Sequence, residues 1–290
     1  MIEVRALEPA EVAGACADLH DWLRPGSPFD LAREYPLVYG PVADARHCGV
    51  FEDGRLRSHA ALRCVEVMVE GRAVRIGLIG SVATAPQARR RGLAHRALEC
   101  VHAWATEQKA AGTLLWSDRL QWYAKLGYGS VGRETHIVLA RDPEAPAGLR
   151  TRAAAPADTA RLLALHEGKP VHVKRTREEF AALLRIPGMH TFVAEEGGRV
   201  AAYACLEKGQ DFPNTVHEIG GEDGVVETLL NEILASAPGA TVKVIVPPYR
   251  EELRILLGRN AVMELEGILG LGRGRSGVFE GVWVDGLDSV

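Results

Sequence analysis

Asp53-Gly54 and Glu70-Gly71 cut residues 48–84 into three strand-like runs, Cys48–Glu52, Leu56–Val69 and Arg72–Thr84. Such pairs favour tight hairpin turns, so this stretch commits the chain to an antiparallel meander. The third run carries Gly77 and Gly80. Glycine weakens a strand interior and marks a bulge or a ligand lying against open main chain. Ala85-Pro86 ends the run, and Arg89-Arg90-Arg91-Gly92-Leu93-Ala94 leads to a helix that starts near His95. A strand, a basic turn with a glycine, then a helix N-terminus is a recipe for gripping a phosphate. The free N–H groups of the first turn point outward, the helix dipole adds positive character, and the arginines add charge.

The helix shows apolar residues at Ala97, Leu98, Val101, Trp104 and Ala105 and is expected to close at Gly112. Thr113–Trp116 reads as a buried strand. Ser117-Asp118 reads as the cap of a short helix, Arg119–Leu126, and Glu134–Ala140 as the last strand of this half. Upstream, Ile2–Ala6 reads as a strand and Pro9 opens a helix to about Leu23. Residues 24–46, with a short helix from about Asp30, are a candidate wall of an acceptor site.

After a linker over residues 142–148 the pattern starts again. Val4-Arg5-Ala6 with Glu11 is echoed by Thr151-Arg152-Ala153 with Asp158, and Phe51-Glu52-Asp53-Gly54-Arg55 by Ala194-Glu195-Glu196-Gly197-Gly198-Arg199. An internal duplication is expected, dividing the chain into residues 1–145 and 146–290. The second copy places Gly221-Glu222-Asp223-Gly224 where the first places its arginines, and acidic groups there repel a phosphate. It is therefore expected to be a non-catalytic copy.

Val82-Ala83-Thr84 before Pro86, Arg89-x-x-Gly92-x-Ala94, and Trp122-Tyr123-Ala124-Lys125-Leu126-Gly127-Tyr128 occur in that order along the first half. In this order and on this frame they resemble the GCN5-related N-acetyltransferase (GNAT) superfamily. The likeness covers residues 1–140 well. The wording is most like the enhanced-intracellular-survival type, which carries a third, sterol-carrier-like domain. This chain is expected to end before such a domain, so that type's base and substrates do not carry over. The resemblance implies an α/β (α+β) fold of two tandem domains, each a mixed, mostly antiparallel sheet flanked by helices. It implies transfer of acetyl from acetyl-CoA to a primary amine of a small molecule or peptide. Val82, Ala83, Thr84, Arg89, Arg90, Arg91, Gly92, Leu93, Ala94 and His95 would hold the cofactor.

Tyr123 would act as general acid. A tyrosine hydroxyl ordinarily titrates near 10 against about 8.5 for a thiol, so it stays un-ionised at neutral pH and can hydrogen-bond or protonate the leaving sulfur. For the general base, Asp118, Glu66, His136, a water chain and the carboxylate of Val290 all stand as candidates. Trp116, Ser117 and Trp122 could line the acceptor pocket, where aromatic faces suit a cation. No cysteine lies in these motifs, so direct attack in a ternary complex is expected. A non-enzymatic acyl-CoA-binding scaffold is the main alternative. A dinucleotide-binding oxidoreductase is disfavoured by the hairpins and by the missing G-x-G-x-x-G order.

The formal net charge of -4 disfavours nucleic-acid and anionic-membrane partners. The five cysteines are scattered without metal or redox spacing, so no metal and a reducing, cytoplasmic setting are expected.

Overall fold

The computed structural model describes residues 1–141, 148–236 and 241–290. The chain opens with β1 (Ile2–Ala6), helix α1 (Pro9–Leu23) and the short helices α2 (Leu31–Glu34) and α3 (Pro36–Tyr39). The meander follows as β2 (Arg46–Glu52), β3 (Arg55–Val69) and β4 (Arg72–Thr84). Its turns are made by Asp53-Gly54 and Glu70-Gly71, all four in the left-handed region. Next come α4 (Leu93–Glu107), β5 (Gly112–Leu115), α5 (Leu120–Ala124), β6 (Gly129–Val131) and β7 (Glu134–Ala140). Most of the linker, residues 142–147, lies outside the described residues. The second half runs β8 (Arg150–Ala153), α6 (Thr159–Glu167), β9 (Val171–Val173), α7 (Arg177–Leu183), β10 (His190–Glu196), β11 (Arg199–Lys208) and β12 (Asp211–Gly221). It continues with α8 (Asp223–Ala235), β13 (Thr241–Val246), α9 (Glu251–Gly258), β14 (Ala261–Gly267) and β15 (Gly270–Gly274).

The two halves repeat a frame of strand, helix, three-stranded meander, helix, parallel strand and short helix. Even side-chain details recur. Arg5 Nη1 and Nη2 donate to Glu11 at 2.7 and 2.8 Å, and Arg152 Nη1 and Nη2 donate to Asp158 at 2.6 and 3.0 Å. The same carboxylates accept from the N–H of Glu8 and Ala155, closing each helix start.

The sheets do not divide where the sequence does. One runs β1-β2-β3-β4-β5-β15-β6, with β9 added along β3, and the other β14-β7-β13-β12-β11-β10-β8. Strand β7, expected as the last strand of the first half, lies between β13 and β14. There Ile137 and Leu139 join the core beneath α8 and α9. In return β15 crosses back and fills the gap between β5 and β6. Only glycines fit its alternate positions. A Cβ would stand 2.8 Å from Leu115 O at Gly270, 2.7 Å from a Val131 methyl at Gly272 and 2.9 Å from Gly112 Cα at Gly274.

Two smaller expectations also change. Helix α4 ends at Glu107, not at Gly112, because Lys109 takes the left-handed turn at φ 57°; Gly112 is the first residue of β5. Gly77 is not open main chain. A Cβ there would meet Leu62 at 2.8 Å and Thr113 at 3.3 Å, so it lets the strand pack under α4. Among the described residues no helix is long and apolar enough to cross a membrane.

Candidate functional site

Strands β4 and β5 are parallel and pair only at Gly77–Thr113 and Leu78–Leu114; beyond that they separate. The divergence begins at a bulge. Between the His59–Ala83 and Ala61–Gly80 pairs, β4 holds two residues opposite the single Ala60, and Ser81 has a φ of 49°. The bulge leaves Val82 half-buried against the α4 core, while Ala83 is buried under α1 and α2. Thr84 is tied down by its contact to Ser58 Oγ at 2.9 Å, and that hydroxyl donates to Ala83 O at 2.7 Å.

Beyond Thr84 a 3-10 turn, Pro86–Ala88, delivers the basic loop. Arg89 Nε donates to Thr84 O at 3.3 Å. Arg90 takes a φ of 63° and makes no side-chain hydrogen bond or ion pair among the described residues. Arg91 differs from its neighbours. Its Nη1 donates to Glu52 at 3.1 Å, so its charge is already matched. Gly92 is the N-cap of α4, at φ 75°, with no capping side chain and no acidic residue in the first turn. The opening N–H groups at Leu93, Ala94 and His95 therefore face outward uncapped, with positive dipole character and beside them two guanidinium groups, Arg89 and Arg90, that make no ion pair among the described residues. His95 turns its ring to Glu99, 3.2 Å away.

Helix α5 packs Tyr123 into the core that Ala88 and Leu93 share beside the start of α4, and Tyr123 is not among the residues lining the cavity that holds Asp118. The ring is buried, edge-on to Trp122 and Tyr128, with centroids 4.7 and 5.5 Å away. Its hydroxyl makes no hydrogen bond among the described residues. Burial pushes that hydroxyl up to about 12; the Asp118 charge adds to the rise and Arg119 opposes it. Tyr123 is thus a neutral acid throughout the physiological range. Tyr128 is fixed by a chain of donors. Arg273 Nη1 donates to His102 Nδ1 at 2.6 Å, His102 Nε2 donates to the Tyr128 hydroxyl at 2.7 Å, and that hydroxyl lies 3.1 Å from Thr113 Oγ1. Burial, then the Arg273 charge, holds His102 down at about 4, so it is the neutral ring this chain of bonds requires.

Asp118 does not cap α5, as its place before the helix led us to expect. Arg119 is the N-cap residue, and Arg119 N–H donates to Ser117 Oγ at 3.1 Å. The Asp118 carboxylate is free of ion pairs and hydrogen bonds among the described residues, and it lines a cavity of 440 Å3. Trp116, Ser117 and His136 line it too, as do Asp211, Phe212 and His217 from the second half. Trp122 does not. Of residues 24–46 only Tyr35 reaches this cavity; Ser27–Asp30 and Val38–Gly40 border a separate groove beside α1. Glu66 is remote from it. It pairs with Lys174 at 2.8 Å and lies opposite Arg75, toward the other end of β3.

The last residue of the sequence, Val290, lies on Gly80. A Cβ built there would stand 2.2 Å from the carbonyl carbon of Val290 and 2.3 Å from its oxygen. Gly80 thus makes room for this tail and not for an open face. The tail is held from the second half by buried charge. Arg175 donates to Asp288 and Glu218, and Lys169 Nζ donates to Asp285 at 2.9 Å. Lys208 Nζ, pushed down to about 8 by burial, donates to Gly286 O at 2.8 Å and Ser289 O at 3.2 Å. His166, Glu218 and Asp285 could together hold a metal ion, but these ammonium and guanidinium groups already neutralise them. The roles of Asp211, Phe212 and His217 had no signal in local sequence. They enter the site only because a hairpin of the other half is folded over it.

The acetyltransferase (GNAT) domain family matches residues 24–131. No curated protein matches. Among solved structures, a GCN5-related N-acetyltransferase from Anabaena variabilis is similar at a TM-score of 0.72 and 13% identity. The match covers 94% of this chain and 72% of that one. A conserved protein from Enterococcus faecalis, described as a probable N-acyltransferase, gives a TM-score of 0.71 and 14% identity over 94% and 72%. Eis1 from Mycobacterium abscessus gives 0.65 and 16% over 94% and 73%. At these identities the structural likeness speaks for the fold, and the family match for what residues 24–131 are. Residues 24–131 carry an acetyltransferase (GNAT) domain, and the chain as a whole has the fold of these acetyltransferase structures.

Proposed function

We propose that this protein transfers acetyl from acetyl-CoA to the primary amine of a small molecule or peptide. The observation that carries the reading is the uncapped start of α4, with Arg89 and Arg90 beside it, next to the diverging edges of β4 and β5. A pyrophosphate fits the first and a thioester arm the second. Val82, Ala83 and Thr84 would flank the arm, and residues 89–95 would hold the pyrophosphate.

The amine attacks the thioester carbonyl directly, the C–S bond breaks, and the thiolate takes a proton from the Tyr123 hydroxyl. A backbone N–H near Val82 stabilises the oxyanion. Among the described residues no cysteine lines the cavity, which fits transfer without an acetyl-enzyme. Trapping an acetyl-cysteine would contradict it. Asp118 is our candidate for the group that receives the amine's proton, being the free carboxylate beside Tyr123. Asp118→Asn, assayed for kcat with saturating acetyl-CoA, tests that role.

The residues of the second half need not bind a second CoA. We propose that residues 146–290 form a GNAT-like copy whose contribution is the hairpin and tail that close the cavity. The test of the whole reading is thiol release from acetyl-CoA across a panel of amines, run beside CoA titration. Amine-dependent release is expected. CoA binding with no release on a wide panel would favour a non-enzymatic acyl-CoA-binding protein.

A further inference from the structure

The balance of charge and apolar area in the 440 Å3 cavity narrows the acceptor. We propose that the acceptor is an amine on a compact apolar or aromatic body, bearing no carboxylate. This rests on the acetyl-transfer reading above.

Among the described residues no lysine or arginine lines the cavity. An acceptor carboxylate would find no positive partner there, because the nearby cations are committed. Arg24 Nη2 donates to Asp211 Oδ1 at 2.7 Å, and Lys208 is spent on the tail. Of the acidic lining, Asp211 is spent as well, accepting from Arg24 and from the Tyr35 hydroxyl, the latter at 2.7 Å. Asp118, and Glu134 held 2.7 Å from His136 Nε2, are left to meet the ammonium.

The remaining surface is apolar. Ile245, Leu269, Leu271 and Val284 form a buried floor. Phe212 stands at the rim, 58% exposed. It sits in the left-handed region at φ 41°, between Glu207 and Asn214, which are also left-handed. A bulky residue in that region is a backbone outlier, and such strain gathers where a side chain must be presented to a ligand. The Phe212 ring already receives Lys243 Nζ at 4.6 Å, so its free edge is left for an apolar body.

The test is acetyl transfer to phenethylamine, L-phenylalanine and spermidine, with binding of each amine to the CoA-loaded protein measured alongside. Phenethylamine and L-phenylalanine share ring and amine and differ by one carboxylate; spermidine lacks the ring. We expect kcat/KM for phenethylamine to exceed the other two by on the order of 10-fold or more. Phe212→Glu should shift the preference toward spermidine. Equal or better turnover of spermidine or L-phenylalanine would overturn the proposal and leave acetyl transfer standing. Preferential binding of phenethylamine with no turnover of any amine would support the cavity's chemistry and overturn transfer. Neither binding nor turnover of phenethylamine would overturn the proposal itself.

Discussion

Helix α4 begins at Gly92 with nothing over its first turn, and helix α8, at the same place in the second half, begins at Asp223. The Asp223 carboxylate accepts from Arg250 Nε at 2.8 Å and from the N–H of Leu253, at the start of α9, at 2.9 Å. Arg250 also donates to Gly221 O at 2.7 Å. Neither helix start is capped by a side chain, but the first turn of α8 carries the Asp223 carboxylate where that of α4 carries no acidic residue. The comparison teaches that losing the arginines is only part of the difference. The second half also sets the Asp223 charge at that turn, so a single arginine returned there would not restore a phosphate site.

The largest effect that would sharpen this contrast is at the chemistry of the first half. Tyr123→Phe should lower kcat about 100-fold with CoA affinity unchanged, as measured by thiol release and CoA titration. A collapse of CoA binding would make Tyr123 a packing residue. Next, Ala94→Asp should convert the α4 start toward the α8 arrangement and weaken CoA binding by about 10-fold or more. The reciprocal change, Asp223→Asn, should cost about 2 kcal/mol of stability, read from denaturant midpoints, because Arg250 loses a charged partner. It should leave CoA affinity as it was.

Acid should act on both halves. Burial holds His59 at about 3 and His102 and His217 at about 4, well below the usual imidazole value near 6.5. The unfolded chain then binds more protons between those limits, so stability present above pH ~6.5 is lost as pH falls toward 4. Melting scans at constant ionic strength should show this decline, and a flat profile would contradict it. Smallest of all, Arg91→Ala should change CoA affinity less than about threefold, since an exposed pair with Glu52 is worth little and its charge is already matched. Arg90→Ala should change it more.

Much of the first half was legible because its signals are local. The turns at Asp53-Gly54 and Glu70-Gly71 fixed the meander, and the apolar stripe from Ala97 to Ala105 fixed the helix behind the loop. What was not legible depends on distant partners. Strand β7 alternates apolar and polar residues like any sheet strand, and nothing within it says that Val242 and Val244 are its neighbours. The clue to the exchange was Gly270-Leu271-Gly272-Arg273-Gly274, whose alternate glycines answer a crowding visible only once β5 and β6 are in place. The cap at Asp118 failed for a similar reason. Ser117 was one residue away and took the N–H, which left Asp118 free for the cavity.

The claim that the start of α4, and not that of α8, suits an anion is tested most directly by calorimetric titration of the whole chain with CoA. The account predicts one CoA per chain, weakened by Ala94→Asp and untouched by Asp223→Asn. Two CoA per chain, or a single site that ignores Ala94→Asp and weakens with Asp223→Asn, would contradict it.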